Sequence, residues 1–209
     1  MTEKTPSPLA GLRVLDLSKV LAGPLCAQYL GDMGADVIKI EPPRSGDETR
    51  GWPPLRQGGD TQTGAIFLSA NRNKRSLAVD LASEAGQEVV YRLARWADVA
   101  ILSFGPGVAA KLKIDPATLR ALNSRLICCD ISGYGSQGSM NQGKGYDVIL
   151  QAFSGMLSIT GEPGRPPVRS PFSPVDQGTG LHALVGILAA LQARERTGEG
   201  CTVEASLFD

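Results

Sequence analysis

The chain has 209 residues, with 21 Lys and Arg against 21 Asp and Glu, one His, 42 % apolar and 20 % charged residues. This balance excludes a nucleic-acid partner, because neutralising phosphates needs a surplus of Lys and Arg. The longest apolar run, residues 183–191 with one glycine inside it, falls short of the roughly 20 residues of a membrane span, so no membrane partner is expected.

In chain order, residues 1–9 are polar and Pro-rich and are expected to form a flexible tail, with one domain over 10–209. Residues 12–17 read as a first strand closing at Ser18. Residues 20–24 read as a turn, and 25–33 as a helix that stops at Gly34, a natural C-terminal glycine. Residues 35–41 form the next strand. Residues 42–65, dense in Pro and Gly, read as a long loop of the kind that is usually functional. Residues 76–81 read as a third strand. The helix opening at Ser83 carries Val89, Val90, Leu93, Ala94 and Ala97 at helical spacing. Residues 98–102 and 125–131 are further strands, with a short helix at 117–122 between them. Two helices follow at 146–156 and 178–196, and residues 203–207 read as a strand or a helix start. Strands that alternate with helices and are apolar on both faces predict an α/β fold, a parallel sheet with helices on both faces. The abrupt stop at Asp209 reads as the N-terminal part of a longer polypeptide.

Several motifs fail. The turn after the first strand, Leu21-Ala-Gly-Pro24, lacks the G-x-G-x-x-G of a dinucleotide site, so NAD is not expected. Gly138-Ser-Met-Asn-Gln-Gly-Lys144 nears a phosphate loop, but Gly145 stands where Ser or Thr would hold Mg²⁺. It reads as a flexible glycine loop. There is no G-x-S-x-G elbow. Cys26, Cys128, Cys129 and Cys201 form no C-x-x-C pair, and His182 is the only imidazole, so no metal is expected. Inside apolar runs, the cysteines read as buried free thiols of a reducing cytoplasm. The N-terminal segment has no apolar core of a secretory signal.

An ordered set of segments resembles the class III CoA-transferases, the CaiB/BaiF type. They are Leu12-Arg-Val-Leu-Asp-Leu17, Leu21-Ala-Gly-Pro24, Gly34-Ala-Asp-Val-Ile-Lys-Ile-Glu41 and Gly46-Asp-Glu-Thr-Arg50, followed by Asn71-Arg-Asn-Lys-Arg-Ser76, Phe104-Gly-Pro-Gly107 and Ile131-Ser-Gly-Tyr-Gly135. Gly145-Tyr-Asp147, Thr160-Gly-Glu162, Asp176-Gln-Gly-Thr-Gly180 and Arg196-Thr-Gly198 complete it. Each piece is weak alone, and the order is what is specific. The resemblance implies a Rossmann-like large domain of a two-domain enzyme. It also implies that the small domain and the return to the large domain are missing here, and that full-length chains interlock as homodimers in the cytoplasm.

By the same resemblance the catalytic carboxylate is Asp176. A carboxylate nucleophile attacks an acyl-CoA thioester to give a mixed anhydride, and the CoA thiolate then forms an aspartyl-CoA thioester. Asp176, read as lying just before a long helix, is expected to be held ionised by the helix N-terminus, a place where Asp is also a common cap. Coenzyme A, entering as acyl-CoA, is the implied ligand, and a small carboxylic acid the second substrate. The implied CoA contacts are Leu21, Ala22, Val79, Ala82, Ser103, Phe104, Gly105, Gly143 and Tyr146. Lys111 falls at a position where a basic residue is expected, and Arg44 replaces a basic residue lost at Pro42. Ser103 stands at a common Asn position, which weakens a formyl-CoA-specific reading. An α-methylacyl-CoA racemase of the same family is the alternative, but its acid/base His before Asp147 is Tyr146 here. A catalytically incomplete CoA-binding fragment is the other. His182 reads as a packing residue or one that supports the site from behind, and the 160–164 loop as a pocket lining or a plain surface turn.

Overall fold

The computed structural model describes residues 7–58 and 61–209. In chain order the elements are β1 (Arg13–Leu17), α1 (Ala22–Asp32), β2 (Asp36–Glu41), a 3-10 turn at Glu48–Gly51, β3 (Leu55–Gly58), β4 (Thr61–Gly64) and α2 (Ala65–Ala70). Then come β5 (Lys74–Ala78), α3 (Glu84–Trp96), β6 (Val99–Leu102), α4 (Val108–Lys111), α5 (Pro116–Leu122) and β7 (Ile127–Ser132). The chain continues through α6 (Asp147–Phe153), a second 3-10 turn at Met156–Ile159, α7 (Pro174–Thr197) and β8 (Thr202–Ser206).

Six of the strands make one sheet in the order β5-β2-β1-β6-β7-β8, every neighbouring pair parallel. Counted along the chain this is 3-2-1-4-5-6, the order of dinucleotide-binding folds. Strand alternation sends Val14 to one face and Leu15 to the other, and both are fully buried. The Val14 face is covered by α1 and α7, through Cys26, Leu30, Ala183 and Ile187. The Leu15 face is covered by α3 and α5, through Val90, Ala94 and Leu119. The sheet therefore has helices on both faces, as the strand–helix alternation predicts.

The boundaries differ from the sequence reading where local composition misleads. Helix α1 starts at Ala22 rather than 25, because Pro24 sits in the first turn, where no N–H is needed. Strand β5 starts at Lys74 rather than 76. It is an edge strand paired only to β2, so its polar residues need not be apolar to belong to it. Residues 42–65 are not one loop: they hold the first 3-10 turn and the β3–β4 antiparallel hairpin. Gly59 and Asp60 of that segment lie outside the described residues, as do residues 1–6 of the expected tail. Leu9 is tied in, with its N–H donating to the Met33 carbonyl (2.9 Å) and its side chain against the core. Residues 202–206 are a strand. Cys26, Cys128 and Cys129 are buried free thiols, but Cys201 is exposed, because it precedes the edge strand β8 rather than lying in the core. Among the described residues no helix is long and apolar enough to cross a membrane.

Candidate active site

The strand order reverses between β1 and β6, and a parallel sheet opens a crevice at the carboxyl ends of the two strands flanking such a reversal. Here it is a cleft of about 300 Å³. Lys19 to Gly23 after β1 form one wall, and Ser103 to Pro106 after β6 a second. The end of β7, the Gly143–Tyr146 stretch and Asp176 complete it. The Lys19 N–H donates to Ser103 Oγ (2.9 Å), joining the first two walls. Leu21, the residue capping α1, supplies no side-chain acceptor, so the first turn of α1 brings its main-chain amides to the cleft margin. The glycines make the third wall possible. A Cβ on Gly133 would come within 2.7 Å of the Gly145 nitrogen, and one on Gly143 within 2.9 Å of the Tyr134 ring.

Helix α7 begins at Pro174, four residues earlier than the sequence reading, with Pro in the favoured first position. Asp176 therefore lies inside the first turn rather than before it. Ser173 makes no side-chain cap. The cap comes from α6, where Asp147 Oδ2 accepts from the Val175 N–H (2.9 Å) and the Asp176 N–H (3.0 Å). Gln151 donates to Asp147 Oδ1, and Gln151 Oε1 accepts from the Ser170 N–H (2.9 Å). Asp147 is buried and neutralises the helix terminus that was expected to serve Asp176. The expected ionised Asp176 is thereby corrected. Burial foremost, and the Asp147 charge after it, push the Asp176 carboxyl up to about 7. A carboxylate of this basicity, half-buried in a cleft, is a stronger nucleophile or base than an ordinary Asp.

Of the residues singled out in the sequence, the cleft brings together Leu21, Ala22, Ser103, Phe104, Gly105, Gly143, Tyr146 and Asp176. It does not include Arg44, Val79, Ala82 or Lys111. Val79 is a core residue, 6 % exposed, with its N–H bonded to the Glu41 carbonyl (2.9 Å). The Ala82 N–H is taken by Asp80 Oδ1 (3.0 Å). Neither therefore offers a free amide to a ligand. Arg44 and Lys111 are exposed, Arg44 on the loop after β2 and Lys111 at the end of α4. His182 is exposed on α7 rather than packed, and the 160–164 loop lies outside the cleft. Sequence reasoning missed Lys19 and Val20, which line the cleft, and the capping role of Asp147. The position of Asp147 in the first turn of a helix, with Gln151 one turn later, was the available signal. Among the described residues no group of three or more His, Cys, Asp or Glu is placed to hold a metal.

Residues 9–209 match the model of CoA-transferase family III. The succinate–glutarate CoA-transferase of Agrobacterium fabrum is 44 % identical over 205 residues, covering 97 % of this chain and 51 % of that protein. The succinyl-CoA:glutarate CoA-transferase of Mus musculus is 41 % identical over 202 residues, covering 96 % of this chain and 45 % of that protein. A crystal structure of a CAIB/BAIF family protein from Brucella suis superimposes with a TM-score of 0.94 at 42 % identity, over 98 % of this chain and 54 % of that one. The chain spans about half the length of the curated relatives it matches.

Proposed function

The chain belongs to CoA-transferase family III, and from that premise we propose that it moves coenzyme A between an acyl-CoA and a free carboxylic acid, with Asp176 as the nucleophile. The observation that carries this reading is the place of Asp176: a carboxyl of raised basicity in the same cleft as the main-chain turns after β1 and β6. Residues 10–209 then act as the large, acyl-CoA-binding domain.

The chemistry balances with side chains of this kind alone. A carboxylate oxygen of Asp176 adds to the thioester carbonyl, the C–S bond breaks, and CoA leaves as the thiolate. The product is a mixed anhydride between Asp176 and the acyl group. The thiolate then adds to the aspartyl carbonyl and expels the donor's carboxylate, leaving an aspartyl-CoA thioester. The acceptor carboxylate runs the same two steps in reverse. The main-chain amides at the start of α1 suit the negative oxygen that develops in each addition. Lys144 gives the cleft rim positive charge toward phosphates, and Lys19 adds an ammonium that is paired with Glu48 (3.3 Å). Arg44, on the loop after β2, and Lys111, at the end of α4, are assigned to the more distant charges of a ligand as long as CoA.

The names of the relatives support short dicarboxylates as the acids, with succinyl-CoA as donor and glutarate as acceptor. Exposed Val148, Ile149 and Phe153 on α6 and Leu181 and Val185 on α7 support burial of this side in a homodimer. The buried free thiols Cys26, Cys128 and Cys129 suit a cytoplasmic protein. The test is transfer from succinyl-CoA to glutarate. Asp176→Ala is expected to lower kcat by at least about a thousandfold while CoA still binds. Loss of CoA binding alone in that variant would deny the nucleophile role. Exchange of the proton next to the thioester, without transfer, would instead favour a racemase.

A further inference from the structure

The turn that forms the first wall of the cleft is gripped from beneath by two buried ion pairs. Lys39 of β2 and Asp47 pair at 3.0 Å, with 1 % and 3 % of each residue exposed. Lys39 Nζ also donates to the Ser18 carbonyl (2.8 Å). Asp47 Oδ2 accepts from the Val20 N–H (3.3 Å), while Oδ1 holds the Thr49 N–H (3.0 Å) and hydroxyl (2.7 Å). The second pair is Lys74 with Asp16 (2.9 Å). Lys74 Nζ donates to the Pro24 carbonyl (2.8 Å), and Asp16 Oδ1 accepts from the Ser18 N–H (3.0 Å). The main chain is thus held at Ser18, Val20 and Pro24.

Between these anchors Val20 sits at φ +68°, the left-handed region that a β-branched residue avoids. Such a conformation persists only where the surroundings over-determine it. None of Lys39, Asp47, Lys74 and Asp16 lines the cleft. Buried ion pairs add little stability over apolar residues of the same size. What the two pairs share is the main chain of this turn.

We propose that Lys39 and Asp47 are positioning residues for acyl-CoA: they latch Val20 in its left-handed conformation and so hold Leu21 and Ala22 at the cleft. The latch rests on the cleft being the acyl-CoA site. It acts through the turn, and neither side chain touches the ligand.

The test removes both charges together, so that neither is stranded, with Lys39→Met and Asp47→Asn in the full chain. The Asn oxygen still serves Thr49, and its NH2 then faces the Val20 N–H, which loses its acceptor. The variant is expected to keep the wild-type circular dichroism. Amide exchange in a peptide spanning residues 17–25 should rise about tenfold or more, with 127–132 unchanged. KM for succinyl-CoA should rise about tenfold with kcat within about threefold. Adding Val20→Gly should recover most of the KM, because glycine adopts this φ without being held. If the double variant does not fold, Lys39→Gln with Asp47→Asn makes the same measurements, with no charge at either position and an amide donor in place of the ammonium. Unchanged exchange at the turn, or unchanged KM with faster exchange, overturns the proposal. A purely structural role would give no recovery by glycine. If the wild type binds no CoA, the reading of the cleft fails, and turn exchange alone then decides whether the latch exists.

Discussion

Asp147 and Asp176 stand 29 positions apart in the sequence, yet they meet at one helix terminus, whose free amides go to Asp147 and not to the Asp176 carboxyl. Asp147 accepts from the first amides of α7, and its charge, together with burial, raises Asp176. On the proposed mechanism Asp176 must be ionised to attack, so transfer should rise with pH through about 7 on the acid limb of kcat/KM. Asp147→Asn removes the neighbouring charge and leaves burial. A pH–rate profile of that variant should show the acid limb moved to lower pH, and an unmoved limb would contradict the coupling. The sign on stability follows from the same shift. A carboxyl raised in the folded state binds more protons there than when unfolded, so stability falls as pH rises from about 4 to about 7. Asp176→Asn should therefore raise Tm at pH 8, with the gain shrinking toward pH 4. Asp176 was legible in the sequence only by resemblance. Its basicity was not legible, because it depends on a carboxylate delivered by another helix.

At the scale of elements, the site depends on how closely α7 packs on α1. A Cβ on Gly180 would meet the Ala22 carbonyl oxygen at 2.8 Å, so only glycine permits this approach. Gly180→Ala should cost about 1–3 kcal/mol in stability, measured by denaturant unfolding, because backbone cannot yield as a flexible side chain does. It should also lower kcat, since the shift carries Asp176 away from the turn at Leu21. The sequence reading already placed Gly178 and Gly180 inside this helix but opened it four residues late, because Pro174, in the first turn where no N–H is needed, reads as a loop residue. Strands β1, β6 and β7 were legible because both of their faces are buried and their apolar runs are nearly unbroken, and β2 because Val37, Ile38 and Ile40 stand out between charged residues. Strand β5 was misplaced because Lys74 and Arg75 are polar yet pair, with Asp16 and Asp36.

At the scale of the whole molecule, the alternation of strands and helices predicts the sheet. The strand order that places the cleft between β1 and β6 required the structure. Residues that the resemblance implied at the ends of both strands line the cleft. The buried pairs beneath the turn after β1 were not legible, because each joins polar residues of separate segments, Lys39 with Asp47 and Asp16 with Lys74. Acyl-CoA binding to the folded chain should raise its Tm. At a ligand concentration of 100 Kd the gain is about 2.7 kcal/mol, or roughly 5–10 °C for a protein of this size, read by differential scanning fluorimetry. The central claim is a covalent one, and it is tested most directly by trapping. Protein mixed with succinyl-CoA, quenched with hydroxylamine or borohydride and mapped by peptide mass spectrometry should carry its modification on Asp176, and Asp176→Ala should carry none. A modification on another residue, or none in a protein that transfers CoA, would contradict the account.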